Sequence, residues 1–436
     1  MGFKPVKVGI CGLGTVGGGT FNVLKRNEEE ISRRAGRLIQ VAAIGARRPN
    51  PNCDTDGVQI TADIFEVARN PEIDVVVELI GGTELARELV LTALDNGKHV
   101  VTANKALIAV HGNEIFEAAQ RKNLIVAFEG SVAGGIPIVK AIREGLAANS
   151  INWVAGIING TGNFILSEMR EKGRAFDDVL AEAQALGYAE ADPTFDVEGI
   201  DAAHKLTILA SLAFGIPLQF ERAYTEGISK ITTDDVRYAE ELGYRIKHLG
   251  VSRRTPNGIE LRVHPTLIPQ QRLIANVNGV MNAVMVDADA VGPTLYYGAG
   301  AGAEATASAV IADLMDVVRT MTSDRDNRVP HLAFQPSRMS DLPILPMEEV
   351  ETAYYLRLQA ADHPGVLADV TRILADQSIS IDAILQKSDP ASDLVPVIIL
   401  TDAVQEKQMN AAIAAIEALS DIRGAVTRIR VERLNG

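Results

Sequence analysis

The chain has 436 residues, which is too long for one hydrophobic core and predicts about three domains, and its 47% apolar content is ordinary for a globular protein. Its net charge of −14 argues against nonspecific nucleic-acid binding. Cys11 and Cys53 lack metal-ligand spacing, and neither a signal-peptide layout nor an apolar run of about 18 residues occurs. We therefore expect a cytoplasmic protein without nucleic-acid or membrane partners.

The first motif follows a short apolar run, Val6–Ile10, and precedes an amphipathic segment. Strand, glycine-rich turn and helix form the context in which Gly-x-Gly-x-x-Gly binds a dinucleotide. The first glycine permits a tight turn, the second lets a pyrophosphate approach the backbone, and the third lets helix and strand pack closely. We therefore assign to cofactor binding Gly12, Leu13, Gly14, Thr15, Val16 and Gly17.

Four further strand-like runs follow, and helical segments separate most of them: Ile39–Ala46, Asp74–Ile80, His99–Thr102 and Leu124–Glu129. This alternation predicts an α/β, doubly wound parallel sheet over residues 1–150. Proteins that bind NAD usually have an acidic residue after the second strand, whereas this chain has Arg47 and Arg48. Two arginines suit a 2′-phosphate, so NADP is favoured over NAD. The alternative is a solvated arginine pair.

Two later strand ends are candidate ligand sites, because ligands of open α/β sheets bind at the carboxyl ends of strands. Thr102 and Lys105 lie at the first, where the lysine either meets cofactor or substrate or simply begins a helix. The second, from Glu129 to Pro137, combines glycines with a charged oxygen. It suits a hard cation, and the alternative is a plain turn.

Residues 151–301 predict an α/β substrate domain with a mixed or antiparallel sheet. Thr255-Pro256-Asn257-Gly258 indicates a hairpin, and Gly187 suits the end of a helix. Glycines up to Gly302 precede a helix to residue 321, which we expect to return to the first domain. We place Gly187 and Gly302 among the cofactor-binding residues.

The stretch Gly187–Lys205 holds five carboxylates, a histidine and a lysine. Asp201 and Lys205 stand four apart in a helix predicted to begin near Gly199, so they share one face. Glu190 lies upstream in a loop that could fold over that face. Such a group can hold a small polar substrate and move a proton; the alternative is an exposed helix with an ordinary ion pair.

Residues 322–349 are rich in proline and polar residues and predict a linker. Residues 350–436 then show a βαββαβ order, which is typical of a ferredoxin-like unit. Because the catalytic motifs end by about Gly302, we expect this unit to be dispensable for chemistry.

Three motifs resemble those of homoserine dehydrogenases of the longer bacterial type with a C-terminal ACT domain, and the resemblance covers nearly the whole chain. They are Asn-Gly-Thr-x-Asn-Phe-Ile-Leu at 159–166, Gly-Tyr-Ala-Glu-Ala-Asp-Pro at 187–193 and Gly-Ile-Asp-Ala-Ala-His-Lys at 199–205. The resemblance implies NAD(P)-dependent interconversion of L-homoserine and L-aspartate 4-semialdehyde, in threonine, methionine and isoleucine synthesis. It also implies a homodimer or homotetramer.

The resemblance further implies roles for individual residues. Lys205 would donate and accept the proton, Asp201 and Glu190 would hold the substrate, and Lys105 would lie near the nicotinamide. A monovalent-cation site, expected to bind sodium, would be formed by Glu129, Val132, Gly134 and Ile136. The tail loop would bind L-threonine as a feedback inhibitor through Asp362, His363, Gly365 and Val366, although such a unit can also serve only for dimerisation.

Two rival functions remain. One is another NADP-dependent oxidoreductase with an ACT tail that acts on a different amino-acid aldehyde. The other is a non-enzymatic amino-acid sensor that uses the nucleotide domain as a scaffold. Identification of the product distinguishes the first rival from a homoserine dehydrogenase. Absence of NADPH turnover despite tight cofactor binding would favour the second rival.

Overall fold

The computed structural model describes residues 4–324, 327–387 and 393–434. Contacts divide the chain into two compact units: Met1–Gly160 with Asp201–Ala223 and Val280–Leu342, and Thr161–Ile200 with Tyr224–Gly279 and Pro343–Gly436. The domain boundaries expected from the sequence remain predictions beside this division. Every helix in the described ranges is too short or too polar to cross a membrane.

The first unit contains a six-stranded sheet in which every pairing is parallel. Its strands are β1 (Val6–Cys11), β2 (Ile39–Gly45), β3 (Gln59–Thr61), β4 (Val75–Glu78), β5 (His99–Thr102) and β6 (Val126–Ala127). The order β3-β2-β1-β4-β5-β6 is that of the dinucleotide-binding doubly wound fold, which confirms the predicted class. The short strand β3 has no counterpart in the sequence prediction.

Helices cover this sheet and connect its strands in the order that a parallel arrangement requires. They are α1 (Thr15–Arg26), α2 (Glu28–Ala35), α3 (Ile64–Arg69), α4 (Glu84–Asp95), α5 (Lys105–Arg121) and α6 (Ile138–Lys140). A later helix, α12 (Ala303–Thr320), packs into the same core, where Val310 and Leu314 lie against Val8 and Ile10 of β1. Gly19 allows this contact, because a Cβ there would lie 2.4 Å from the carbonyl oxygen of Ala303.

The first unit also holds three strands that pair antiparallel with one another. They are β7 (Ile151–Ile157), β11 (Met281–Ala288) and β12 (Gly292–Ala299), with β11 between the other two. The same unit holds nearly all of α10 (Ile200–Phe214), in which every residue from Asp201 to Phe214 is buried. A helix apolar on all sides belongs in a core, so the charged groups at its start need partners inside the protein.

The second unit begins with the helices α7 (Gly160–Lys172), α8 (Phe176–Ala185), α9 (Thr194–Val197) and α11 (Thr233–Glu241). Its first strands are β8 (Tyr224–Thr225), β9 (Tyr244–Thr255) and β10 (Gly258–Pro269). β9 and β10 pair antiparallel over their whole length, with Pro256 and Asn257 as the two loop residues. The predicted hairpin therefore has its turn at the expected position.

The βαββαβ tail also belongs to the second unit. It consists of β13 (Glu351–Ala361), α13 (Val366–Asp376), β14 (Ile381–Gln386), β15 (Leu394–Thr401), β16 (Val404–Gln405), α14 (Glu406–Glu417) and β17 (Ile422–Val431). The order β17-β13-β15-β14, with antiparallel pairings, is that of a ferredoxin-like sheet.

The last strand joins this tail to the rest of its unit. Arg430 and the following residue of β17 pair in parallel with β10, and the Arg430 side chain is fully buried between Glu406 and Glu226. Tyr355 of β13 lies in one apolar core with Phe164 of α7. Removing residues 350–436 would therefore expose that core and leave Glu226 without its buried partner. The expectation of a dispensable tail needs this correction.

Candidate active site

The three glycines of the first turn meet three different environments. A Cβ on Gly12, whose φ is +100°, would lie 2.5 Å from the Leu79 carbonyl oxygen. A Cβ on Gly17 would lie 2.0 Å from the Gly12 carbonyl oxygen, whereas nothing lies within 4 Å of a Cβ on Gly14. The first and third glycines are thus needed for packing, while the second faces open space where a pyrophosphate can approach.

A cavity of about 1180 Å³ adjoins this turn and has the size that a dinucleotide requires. Arg47 and Arg48 line it and are exposed, so their guanidinium groups are available to an anionic ligand. The lining also includes Gly81 and Gly82, both with φ +72°. The sequence prediction missed these two glycines, although a Gly-Gly pair directly after a buried strand was the available signal.

A charged cluster surrounds the start of α10. Asp201 Oδ1 lies 2.9 Å from the Lys105 ammonium group. Asp201 Oδ2 accepts hydrogen bonds from Lys205 Nζ at 2.7 Å and from Asn159 Nδ2 at 2.9 Å. Lys205 Nζ also donates to the carbonyl oxygen of Ile158 at 2.7 Å. The structure thus brings together Lys105, Asp201 and Lys205.

Burial opposes ionisation of Asp201, but Lys205 and Lys105 overcome it and hold the pKa of its carboxyl group below the usual range. His204 lies beside these charges and packs against Phe220, with ring centroids 4.1 Å apart and ring planes tilted by 32°. Burial lowers the pKa of His204 to about 4, so its ring is neutral at neutral pH. Asn159 and His204 received no separate role from the sequence, because both have partners that lie far apart along the chain.

Two predicted cofactor residues of the first unit lie outside this cluster, and two further candidates belong to the second unit. Thr102 is buried at the end of β5, and its hydroxyl donates to Glu78 at 2.6 Å. Gly302 precedes α12 with φ +123°, and the nearest atom to a Cβ there is 3.9 Å away. Gly187 and Glu190 belong to the second unit, where Gly187 has φ +75° and Glu190 is exposed.

The candidate cation site begins at a buried carboxylate. Glu129 accepts backbone N–H groups from Val139 at 2.9 Å and Lys140 at 2.8 Å. Burial and then the charge of Asp313 raise the pKa of Glu129 to about 7, against the effect of these hydrogen bonds. Gly134 has φ +49° and packs so closely that a Cβ would lie 2.6 Å from the Gly300 carbonyl oxygen.

The other cation-site candidates lie in the same buried turn. Val132 donates its backbone N–H to the Glu129 carbonyl oxygen at 3.3 Å, and Ile136 donates to Ala133 at 3.0 Å. Both side chains are buried and apolar, so any oxygen ligand from them is a backbone carbonyl. Within the described residues, no group of three or more His, Cys, Asp and Glu side chains is arranged to hold a metal.

The candidate effector loop precedes α13 in the second unit. Gly365 has φ +107°, and nothing lies within 4 Å of a Cβ there. Asp362 donates its N–H to Asp393, and His363 Nε2 lies 3.1 Å from Asp421. The Pro364 carbonyl oxygen and Asp421 raise the pKa of His363. Val366 is buried as the first residue of the helix.

Three family models match the chain. One described as "Homoserine dehydrogenase, NAD binding domain" matches residues 12–129, one described as "Homoserine dehydrogenase" matches 137–315, and one described as "ACT domain" matches 354–421. Together they span most of the chain.

Curated and solved relatives agree. A homoserine dehydrogenase from Pseudomonas aeruginosa is 76% identical over 99% of this chain and 100% of its own length. The crystal structure of a homoserine dehydrogenase from Thiobacillus denitrificans has a TM-score of 0.95 at 68% identity and covers 100% of both chains. A hyperthermophilic archaeal homoserine dehydrogenase in complex with NADPH has a TM-score of 0.61 at 25% identity, over 72% of this chain and 97% of its own.

Proposed function

The chain belongs to the homoserine dehydrogenase family of NAD(P)-dependent oxidoreductases, and we propose that it interconverts L-homoserine and L-aspartate 4-semialdehyde with NADP(H). The observation that supports this assignment most directly is the buried Asp201 carboxylate held between two ammonium groups, at 2.9 Å from Lys105 and 2.7 Å from Lys205. It places two cations at one point inside the protein, where a developing negative charge on a substrate oxygen would be stabilised.

Lys205 is the proposed acid and base at the substrate hydroxyl oxygen. Its ammonium group donates to two acceptors, Asp201 and the Ile158 carbonyl oxygen, which orient it. Lys105 is the proposed second cation at the reacting oxygen, and its side chain is about one-third exposed, so substrate can reach it. When bound, the nicotinamide supplies or accepts the hydride.

The proposed carboxylates for the substrate ammonium group are Glu190 and Asp201. Asp201 Oδ2 already accepts two hydrogen bonds, while Oδ1 pairs with Lys105, and a carboxylate oxygen can accept a second donor. Glu190 is exposed in its own unit, so its carboxylate is accessible to a ligand. Both groups can therefore still accept an ammonium donor.

NADP is the proposed preferred cofactor. Arg47 and Arg48 line the dinucleotide cavity, where guanidinium groups suit a 2′-phosphate. The open space at Gly14, between two tightly packed glycines, fits a bound pyrophosphate. The archaeal relative in complex with NADPH is consistent with this choice. Thr102, Gly187 and Gly302 stay predicted cofactor contacts.

A sodium site at Glu129, Val132, Gly134 and Ile136 is also proposed. Its donor set would be one carboxylate and backbone carbonyl oxygens, and hard oxygen ligands suit a monovalent cation. The fit is supported by Glu129, which is buried beside Asp313; Lys140 already lies 3.5 Å from Asp313, so a bound cation would offset the charge of Glu129. The cation would hold this turn and supply no redox chemistry.

Regulation is proposed to reside in the ACT domain. L-Threonine, an end product of the pathway that homoserine supplies, would bind at Asp362, His363, Gly365 and Val366. The positive φ of Gly365 directs the chain into the start of α13, where backbone N–H groups suit a carboxylate. A homodimer or homotetramer and a cytoplasmic location complete the proposal.

The deciding experiment supplies the purified chain with NADPH and L-aspartate 4-semialdehyde and identifies the product. Formation of L-homoserine, faster than turnover of a one-carbon-longer amino-acid semialdehyde, is expected. Faster turnover of the longer aldehyde would instead favour the other oxidoreductase. Tight NADPH binding without turnover of either aldehyde would contradict the proposal.

A further inference from the structure

A buried carboxylate outside the proposed chemistry lies at the end of β4. Glu78 is 0% exposed. Its Oε2 accepts the Thr102 hydroxyl at 2.6 Å, and its Oε1 accepts the N–H groups of Ile80 at 2.9 Å and Gly81 at 3.3 Å. Every one of these neighbours is a donor, so the site requires an acceptor on both oxygens.

Asn104 extends the network between the loops that follow β4 and β5. Its N–H donates to Thr102 Oγ1 at 3.0 Å, and its Oδ1 accepts the Leu107 N–H at 3.1 Å, which caps α5. Its Nδ2 donates to the Gly82 carbonyl oxygen at 2.7 Å. The two loops are therefore tied together twice, once through Glu78 and once through Asn104.

Each loop holds a different part of the site. The loop after β4 contributes Gly81 and Gly82 to the dinucleotide cavity. The loop after β5 leads into α5, whose first residue, Lys105, pairs with Asp201 at 2.9 Å. The backbones of β4 and β5 pair in parallel up to Glu78 and Thr102, and the side chains of Glu78 and Asn104 link the loops that follow.

We propose that Glu78 is a positioning residue. It fixes the loop after β4, which contains Gly81 and Gly82 and is called the cofactor loop below, relative to the helix α5 that carries Lys105. The inference rests on the proposed function, because it assigns Lys105 to the reacting oxygen. Glu78 touches neither substrate nor nicotinamide in this account. It acts through the Ile80–Gly81 amides on one side and through Thr102 on the other.

Glu78→Gln tests the proposal, because glutamine keeps the size but directs an NH₂ group at donors. We expect kcat to fall on the order of 10–100-fold, the scale of a misplacement of about 1 Å, with a weaker Kd for NADPH. Asp74→Asn is the matched control. Asp74 accepts the Lys7 N–H at 2.8 Å at the opposite end of β4, roughly 13 Å away at about 3.3 Å per residue. Its kcat and Kd should match the wild type.

Asn104→Ser provides a second variant in case Glu78→Gln fails to fold. Serine still caps α5 through Leu107 but lacks the amide donor for Gly82. We expect an unchanged Tm, a several-fold lower kcat and a several-fold weaker Kd for NADPH. Wild-type kcat and Kd in the folded variants, even with a lowered Tm, would overturn the proposal and leave Glu78 a purely structural group. If the wild type itself lacked turnover, the proposed function would fail, while the NADPH affinities would still test the cofactor loop.

Discussion

Replacing Lys205 by methionine should abolish most turnover while leaving the protein folded. The substitution keeps much of the buried side-chain volume but removes the ammonium group that donates to Asp201 and Ile158 at 2.7 Å each. Asp201 would remain paired with Lys105 at 2.9 Å and hydrogen-bonded to Asn159. The charge of Asp201 therefore stays compensated in Lys205→Met, and the variant contains no unpaired buried ion at this point.

The magnitudes follow from these contacts. Hydrogen bonds to charged groups contribute about 1.5–3 kcal/mol each, and the unpaired-charge penalty of about 3–5 kcal/mol does not apply while Lys105 remains. Loss of a positioned acid or base lowers kcat by about 10²–10⁴-fold, or roughly 2.7–5.4 kcal/mol in barrier height at 1.36 kcal/mol per tenfold. Affinity for NADPH should change little, because the dinucleotide cavity does not include Lys205.

The assay follows NADPH consumption with L-aspartate 4-semialdehyde and compares thermal unfolding of each variant. Lys98→Met is the matched control, since Lys98 is a buried lysine at the amino end of β5, away from the site. Its turnover should equal that of the wild type. Turnover of Lys205→Met within about tenfold of wild type would refute the acid–base role. An equal loss of turnover in both variants would indicate that replacing any buried lysine lowers activity, and that the loss does not arise from proton transfer by Lys205.

Further outcomes are expected elsewhere in the chain. Replacing Arg47 and Arg48 by alanine should weaken NADPH more than tenfold relative to NADH, because charge-assisted hydrogen bonds contribute roughly 1.5–3 kcal/mol each; equal losses in Kd would contradict a 2′-phosphate role. A chain ending at Met347 should fail to fold its second unit, and a soluble truncated protein with the full-length Tm would disprove this. Burial lowers the pKa of His331 to about 4 from 6.5, so the folded state binds fewer protons than the unfolded state between these pH values. The free energy of unfolding should therefore decrease as pH falls from 6.5 to 4. Denaturant titrations should show a smaller decrease for His331→Asn than for the wild type. Gly365→Ala should weaken inhibition by L-threonine with basal turnover unchanged, because φ +107° strains any side chain there although the surrounding space is open.

The parts of the site that could be predicted are those that the sequence encodes locally. The roles of Gly12, Gly14 and Gly17 followed from their spacing in one short motif between a strand and a helix, although the atom that Gly12 packs against, the Leu79 carbonyl oxygen, lies far along the chain. Asp201 and Lys205 are four residues apart on one helix, so their contact follows from helix geometry alone. The parallel, doubly wound class followed from the alternation of strands and helices, whereas the strand order was not predicted.

The remaining site contacts join residues far apart in the chain. Lys105 reaches Asp201 across 96 residues, the difference between their numbers, and no periodic pattern specifies such a pair. Asn159 became a partner of Asp201 only once β7 and α10 were packed in the same unit. Glu78 follows an apolar run, where a single charged residue usually marks the end of a strand. Nothing in that pattern indicates that its side chain is buried and joins two loops.

The C-terminal tail also combines a predictable local order with a long-range contact that could not be predicted. Its own βαββαβ order was predictable, but its parallel pairing with β10 was not, because two adjacent edge residues leave no periodic signal. One hint is available in β10, where Glu260, Arg262 and His264 alternate on one face of a strand that is nevertheless buried. Arg262 bridges Glu260 and Glu432 there.

These buried charges constrain how the tail can act on the rest of its unit. Pulling β17 away from β10 would part the buried Glu432 carboxylate from both Arg262 and Arg253 and leave it uncompensated, at a cost of about 3–5 kcal/mol. Allosteric coupling free energies are typically about 1–3 kcal/mol, so an effector bound at the loop before α13 has too little free energy to pull β17 away from β10. We therefore expect any threonine signal to move β17 and β10 together as one rigid element, or to travel through a different surface of the ACT domain.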